Sequence, residues 1–220
     1  VELAEVGELA EARRLAERIV RTPFDLSSAP LLRAGLYRLA DGRHWFAVAT
    51  HHVAADGWSV SVMARDLIEA YDHQRGGCPA PSPLPVQYRD YAAWREQKLA
   101  GPRGARRRDY WVEALRDLAA PDLPLDRPRP SRRNHRGASI EASLDAVRTR
   151  ALRDLARQRN ATPFVVLAAA LDALLYHYTG SPDLVIGTAV AGRDHADLAG
   201  AVGVFVNLLP LRTRVDASQG

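Results

Sequence analysis

Two adjacent imidazoles, His51 and His52, followed by Asp56 and Gly57, are the groups in this chain best suited to moving a proton. A neutral imidazole titrates at about pH 6.5 and takes a proton from a nucleophile near neutrality, which is the task of a general base. With seven His and 15 Gly available, His-His-x-x-x-Asp-Gly would arise by chance in roughly one sequence in a thousand of this make-up. Successive side chains on a strand point to opposite faces, so one histidine lines a site while the other packs or hydrogen-bonds behind it. Asp56 admits two roles: it can orient an imidazole, as in a hydrolase triad, or cap the helix that follows. No metal is expected, because adjacent histidines diverge and no further His or Cys stands at ligand spacing. Ser59 lies outside any nucleophile-elbow pattern and reads as a helix-start residue.

The elements that must hold these groups follow from periodicity. The apolar run 45–49 reads as a strand ending in the two histidines, and residues 60–71 as an amphipathic helix leaving them. Residues 31–39 form a second strand, and Asp41-Gly42 turns it into the first as a hairpin. Before them, Leu9, Ala12, Leu15, Ala16 and Ile19 recur at helical spacing. A Gly- and Pro-rich loop over 76–85 leads to helices over 87–99 and 104–118, interrupted at Gly101-Pro102. Residues 121–136, with Pro124, Pro128 and Pro130 among arginines, read as an extended, solvated crossing. Beyond it we expect a strand over 138–144 and a helix over 145–158. Thr162-Pro163 starts an apolar helix, 165–178, expected to be buried on most of its circumference, and strands over 184–190 and 204–211 follow. The fold class is α/β with mixed sheets.

Composition narrows the function. A chain of 220 residues, 47% hydrophobic and 25% charged, buries one sizeable core or two small ones. Its apolar runs are too short to span a bilayer and its N-terminus lacks a signal-peptide core, so no membrane association and a cytoplasmic location are expected. The single cysteine, Cys78, sits between Gly77 and Pro79, rules out an intramolecular disulfide and reads as an incidental thiol. Net charge is +4, concentrated in arginine runs at 103–108 and 127–136. Aromatic residues are not interleaved with them and no nucleic-acid motif accompanies them, so nucleic acid is not an expected partner.

The stretch His51-His52-Val53-Ala54-Ala55-Asp56-Gly57-Trp58-Ser59 resembles the active-site signature of nonribosomal peptide synthetase condensation domains, which share the chloramphenicol acetyltransferase-like fold. Pro23-Phe24-Asp25-Leu26 with Pro30-Leu31-Leu32-Arg33 is similar to the approach to that signature. Tyr88-Arg89-Asp90-Tyr91-Ala92-Ala93-Trp94 is similar to the family's aromatic helix, and Ile186-Gly187-Thr188 with Ala191-Gly192-Arg193, then Gly203-Val204-Phe205-Val206-Asn207-Leu208-Leu209-Pro210-Leu211-Arg212, to later motifs. The matches run in family order along nearly the whole chain.

The resemblance implies a two-lobed mixed-sheet sandwich, incomplete at both ends, with 1–128 part of the N-terminal lobe and 129–220 part of the C-terminal lobe. A fragment so truncated is expected to be inactive and prone to associate by itself. The implied chemistry is amide formation between two thioesters carried on 4'-phosphopantetheine arms. The partners are donor and acceptor peptidyl carrier domains and a neighbouring adenylation domain, and the domain binds no cofactor of its own. His52 takes the catalytic role and His51 supports it. Asp56 belongs to an ion pair with Arg193. Gly57 is needed either to leave a tunnel open or to adopt φ > 0, and its N–H is a candidate oxyanion donor. Trp58, Ser59 and Asn207 are tunnel candidates, Asn207 either bonding substrate or bridging the lobes. The arginine runs suit carriers with acidic surfaces. Epimerisation or a related acyl transfer, and a non-catalytic docking module, are the alternatives. The histidines themselves exclude the heterocyclising branch, which replaces them with aspartates.

Overall fold

The computed structural model describes residues 1–220 except 120, 121, 129, 133–136, 217, 219 and 220. It divides into two compact units, Val1–Pro102 with Ala189–Asn207, and Arg103–Thr188 with Leu208–Gly220. Each is assembled from separated segments, so no single cut in the chain parts them.

The first unit is built on a three-stranded sheet in the order β1-β2-β3, from β1 (Glu2–Val6), β2 (Leu32–Leu39) and β3 (His44–Thr50). Strands β2 and β3 are the antiparallel hairpin read from the sequence, in register from Leu32↔Thr50 to Arg38↔His44. Strand β1 was not expected. It pairs parallel to β2, from Glu2↔Gly35 to Val6↔Leu39, and its five residues are too few for alternation to stand out beside a helical run. Helix α1 (Leu9–Arg21) makes the crossover that a parallel pair requires. Its Ala12 and Ile19, at 0% and 6% exposure, pack with Val6, Tyr37, Leu39 and Ala49 into the core beneath the sheet. Burying a side chain the size of Ile19 contributes about 2 kcal/mol, so this stripe fixes the helix against the hairpin that ends in the histidines. Helices α2 (Gly57–Gln74) and α3 (Tyr88–Ala100) complete the unit, and a second core joins Tyr91 to Leu198, Ala201 and Phe205.

The second unit contains α4 (Pro102–Ala114), α5 (Ala146–Gln158), α6 (Pro163–Thr179) and most of the two-stranded sheet of β4 (Asp183–Val190) and β5 (Asn207–Arg214). Thr162 caps α6 by accepting from the Val165 N–H, with Pro163 at the first turn, and Asp145 caps α5 in the same way through Arg148. Arg212 ties the end of α4 to the sheet, donating to the Asp183 carboxylate and to the Ala114 and Arg116 carbonyls.

Three expectations for this unit need correction. Residues 138–144 alternate in polarity but form no strand, because alternation makes a strand only when a neighbour supplies the ladder, and Ile140 is 96% exposed. Helix α6 is apolar as expected but not buried on most of its circumference. Phe164, Leu167, Leu174 and Tyr178 are about half exposed or more, and Asp172 is its only buried residue among those described. Helix α4 stops at Ala114, short of Leu118. The described residues of the expected crossing, 122–128 and 130–132, are exposed and carry no helix or strand, while the rest of 121–136 and part of the second arginine run lie outside the described residues. No single helix among the described residues is long and apolar enough to cross a membrane.

Candidate functional site

Strand β3 delivers the histidines to a tight turn, and the turn treats them differently. His51 is tied down on every side. Its N–H donates to the Leu31 carbonyl at 3.1 Å, its carbonyl accepts from Ala54 at 2.9 Å, and its Nδ1 accepts from the Val53 N–H at 3.1 Å. The ring also meets the edge of Phe24, with centroids 6.0 Å apart. Because Nδ1 accepts, a neutral His51 carries its proton on Nε2. His52 is exposed at the turn, and its ring bonds to none of the described residues. The pair thus splits into one histidine locked into the framework and one presented outward.

Asp56 ends the turn and starts α2, and it is buried. Its Oδ1 accepts from the Ser59 N–H at 2.8 Å and the Ser59 hydroxyl at 2.7 Å, its Oδ2 from the Phe205 and Val206 N–H groups at 2.9 and 3.2 Å. Arg193 stands 3.4 Å from Oδ1, and the two side chains are 4% and 3% exposed, Arg193 first. Neither histidine donates to Asp56 among these contacts, so the carboxylate is a junction between the α2 start and the 203–206 backbone, not the third member of a triad. Burial alone pushes its pKa up. The hydrogen bonds from Ser59, Phe205 and Val206 outweigh burial and hold it at about 2.

This shift has a measurable sign. In the unfolded chain Asp56 takes its proton near 3.8, in the folded chain only near 2, so its contribution is complete above about pH 4 and is lost as pH falls through 2. The linkage amounts to about 2 kcal/mol. Denaturant unfolding of the wild type and Asp56→Asn from pH 5 to pH 2 should show the stability gap narrowing by that amount, and a gap independent of pH would refute the perturbed carboxylate.

Arg193 is the other half of the junction. Its Nη1 donates to the carbonyls of Leu198 and Ala201, its Nη2 to Ser59 Oγ at 3.0 Å, and its guanidinium lies 4.0 Å from the Phe205 ring centroid and 5.6 Å from that of Trp58. Preceding it, Gly192 has φ +64°, and a Cβ there would come within 2.0 Å of the Phe205 carbonyl oxygen, so glycine is required for this approach. Trp58, half exposed, donates from Nε1 to the Ala199 carbonyl at 3.0 Å. Ser59 is fully buried inside the junction, and Asn207 is the exposed first residue of β5. Gly57 opens α2 without a positive φ, which removes one of the two reasons anticipated for it. A Cβ at Gly57 would meet nothing within 4 Å. Open space therefore lies in front of it, beside a helix N-terminus whose first N–H groups lack intrahelical acceptors.

The residues that sequence reasoning passed over are those that hold the second segment in place. Tyr88 donates to the Val204 carbonyl at 3.0 Å and crosses Phe205 edge-on at 5.3 Å, and a Cβ on Gly203 would fall 2.0 Å from the Tyr88 ring. Their motifs were visible, but the meeting of positions more than a hundred residues apart has no signal in spacing. Among the described residues, no three His, Cys, Asp or Glu side chains are grouped to hold a metal ion.

Comparison with known proteins converges on one family. The family model described as Condensation domain matches residues 1–220. Phosphinothricin tripeptide synthetase PhsC of Streptomyces viridochromogenes is 41% identical over 217 residues, covering 97% of this chain and 20% of that protein. Among solved structures, the X-domain from teicoplanin biosynthesis matches with TM-score 0.88 and 33% identity over 99% of this chain and 50% of its own, and it has also been solved in complex with OxyB. The first condensation domain of the CDA synthetase matches with TM-score 0.73 and 27% identity over 98% of this chain and 49% of its own. The chain therefore spans about half the length of these solved relatives and a fifth of the tripeptide synthetase.

Proposed function

The chain belongs to the condensation-domain family, and from that premise we propose that it contributes the histidine-bearing site of an enzyme joining two carrier-bound thioesters through an amide. The observation that carries the reading is the division of labour at the turn, where His52 is presented outward by a loop locked through His51 on one side and Asp56 on the other.

The amine nitrogen of the acceptor aminoacyl group attacks the donor's thioester carbonyl. The C–N bond forms, the C–S bond breaks as the tetrahedral oxyanion collapses, and the donor carrier's pantetheine leaves as a thiol. The nitrogen must shed one proton and the sulfur must gain one. A neutral His52 accepts the first and can return it to the second. A Cβ at Gly57 would meet nothing within 4 Å, which leaves room for substrate beside it, and its N–H is our candidate donor to the oxyanion. Asp56 serves by keeping the loop in register. Both thioesters ride on phosphopantetheine arms of carrier domains, with an adenylation domain as neighbour.

Loaded donor and acceptor carriers, incubated with the intact gene product and followed by mass spectrometry with chiral analysis, separate the readings. A peptidyl product on the acceptor supports condensation, and inversion of a single carrier-bound residue without transfer would mean epimerisation. Carrier or partner binding with neither reaction would support a docking module.

The first arginine run fits the partner class. Arg103, Arg106 and Arg107 are exposed on α4 at positions that share a face, and Arg108 pairs with exposed Asp109 at 3.6 Å. Neutralising Arg106, Arg107 and Arg108 together should slow association with an acidic carrier and flatten its salt dependence, with turnover at saturating carrier unchanged. Unaltered affinity at low salt would remove the run from docking.

A further inference from the structure

Ser59 has more partners than one hydroxyl can satisfy at once. A hydroxyl offers two lone pairs and one proton. Around its Oγ stand two donors, the Gly203 N–H and Arg193 Nη2, both at 3.0 Å, and two acceptors, Asp56 Oδ1 at 2.7 Å and the Gly203 carbonyl at 2.8 Å. The donors fill both lone pairs, and the proton is shared between the acceptors. Neither acceptor is orphaned by the choice. The Gly203 carbonyl also accepts from the Asp56 N–H at 3.2 Å, and Asp56 keeps its backbone donors.

Ser59 has no exposed surface, so substrate does not reach it. What it grips is Gly203, by both the N–H and the carbonyl, while the Tyr88 ring occupies the space where a Cβ would lie. Asp56 follows His52 by four residues, and Asn207 follows Gly203 by four. The two exposed candidate groups are therefore carried by segments that meet at Ser59.

We infer that Ser59 is a positioning residue for amide formation: its hydroxyl fastens the 203–207 segment to the loop that presents His52. This inference rests on the condensation reading. It concerns a side chain that acts through Asp56 and Gly203, and it replaces the expectation that Ser59 lines the tunnel.

The test uses Ser59→Ala, Ser59→Thr and Ser59→Cys in the intact gene product, at a temperature where circular dichroism shows each variant folded. Amide formation is measured at varied acceptor carrier, and hydrogen exchange is followed over residues 203–206. Ser59→Ala should lower kcat about tenfold, the rate equivalent of one net hydrogen bond, with KM for the acceptor within about twofold. Exchange over 203–206 should accelerate. Ser59→Thr, which keeps the hydroxyl, should recover most of both effects. A folded Ser59→Ala with wild-type kcat would overturn the inference, as would equal losses in Ala and Thr. If the alanine variant does not fold, Ser59→Cys should show a kcat several-fold below the wild type with faster exchange over 203–206, and wild-type kcat in the cysteine variant would be contrary. If the wild type forms no amide, the condensation reading fails separately, and unchanged exchange over 203–206 would then defeat the positioning role as well.

Discussion

Replacing His52 with alanine in the intact gene product should lower amide formation by about a hundredfold or more at saturating carriers, the scale of a positioned proton-transfer group. Binding of the carriers should change little, because the role proposed for the exposed imidazole lies in the transition state and not in the framework. His51→Ala should behave in the opposite way. It removes the acceptor of the Val53 N–H and the ring packed on Phe24, so the protein should melt earlier and lose activity in proportion to folded fraction. A folded, inactive His51→Ala beside an active His52→Ala would invert the two roles.

The largest stability effect should come from the buried junction. Removing one member of a buried ion pair typically costs about 3–5 kcal/mol, because the survivor is left charged and unpaired. Asp56→Ala should reach that range, since it strands Arg193 and deprives Ser59, Phe205 and Val206 of their acceptor. Arg193→Ala should cost similarly, since it frees the Leu198 and Ala201 carbonyls and empties the space over Phe205. The double variant should be less damaged than the sum by about 1–3 kcal/mol, the coupling of residues in one network. At 3.4 Å the direct contact is long, and part of that coupling passes through Ser59. Additive losses in denaturant melts would mean that the pair is a coincidence of geometry.

Local features of this site were legible in the sequence and distant ones were not. The hairpin was readable because two alternating runs flank Asp41-Gly42, and α2 because an acid and a glycine precede an amphipathic stretch. Asp56 as an N-cap is local information of the same kind. The depth of its burial is not, because Arg193, Phe205 and Val206 reach it from far along the chain. Ser59 looked like a helix-start residue or a tunnel wall for the same reason: its type and position are compatible with both, and only the approach of Gly203 decides. Strand β1 was lost because a five-residue parallel strand takes its stability from a neighbour, and 138–144 was overread because a pattern without a neighbour forms no ladder. Helix α6 shows the converse, in which apolar composition predicts that a surface seeks burial but not what covers it.

The most direct measurement of the central claim is a single turnover with both carriers preloaded, followed by intact-protein mass spectrometry. With the wild type, the acceptor carrier should gain the mass of the donor acyl group while the donor carrier returns to its free-thiol mass, and with His52→Ala both shifts should slow by about a hundredfold. Equal rates for the two proteins, or release of the donor without gain on the acceptor, would contradict amide transfer by His52.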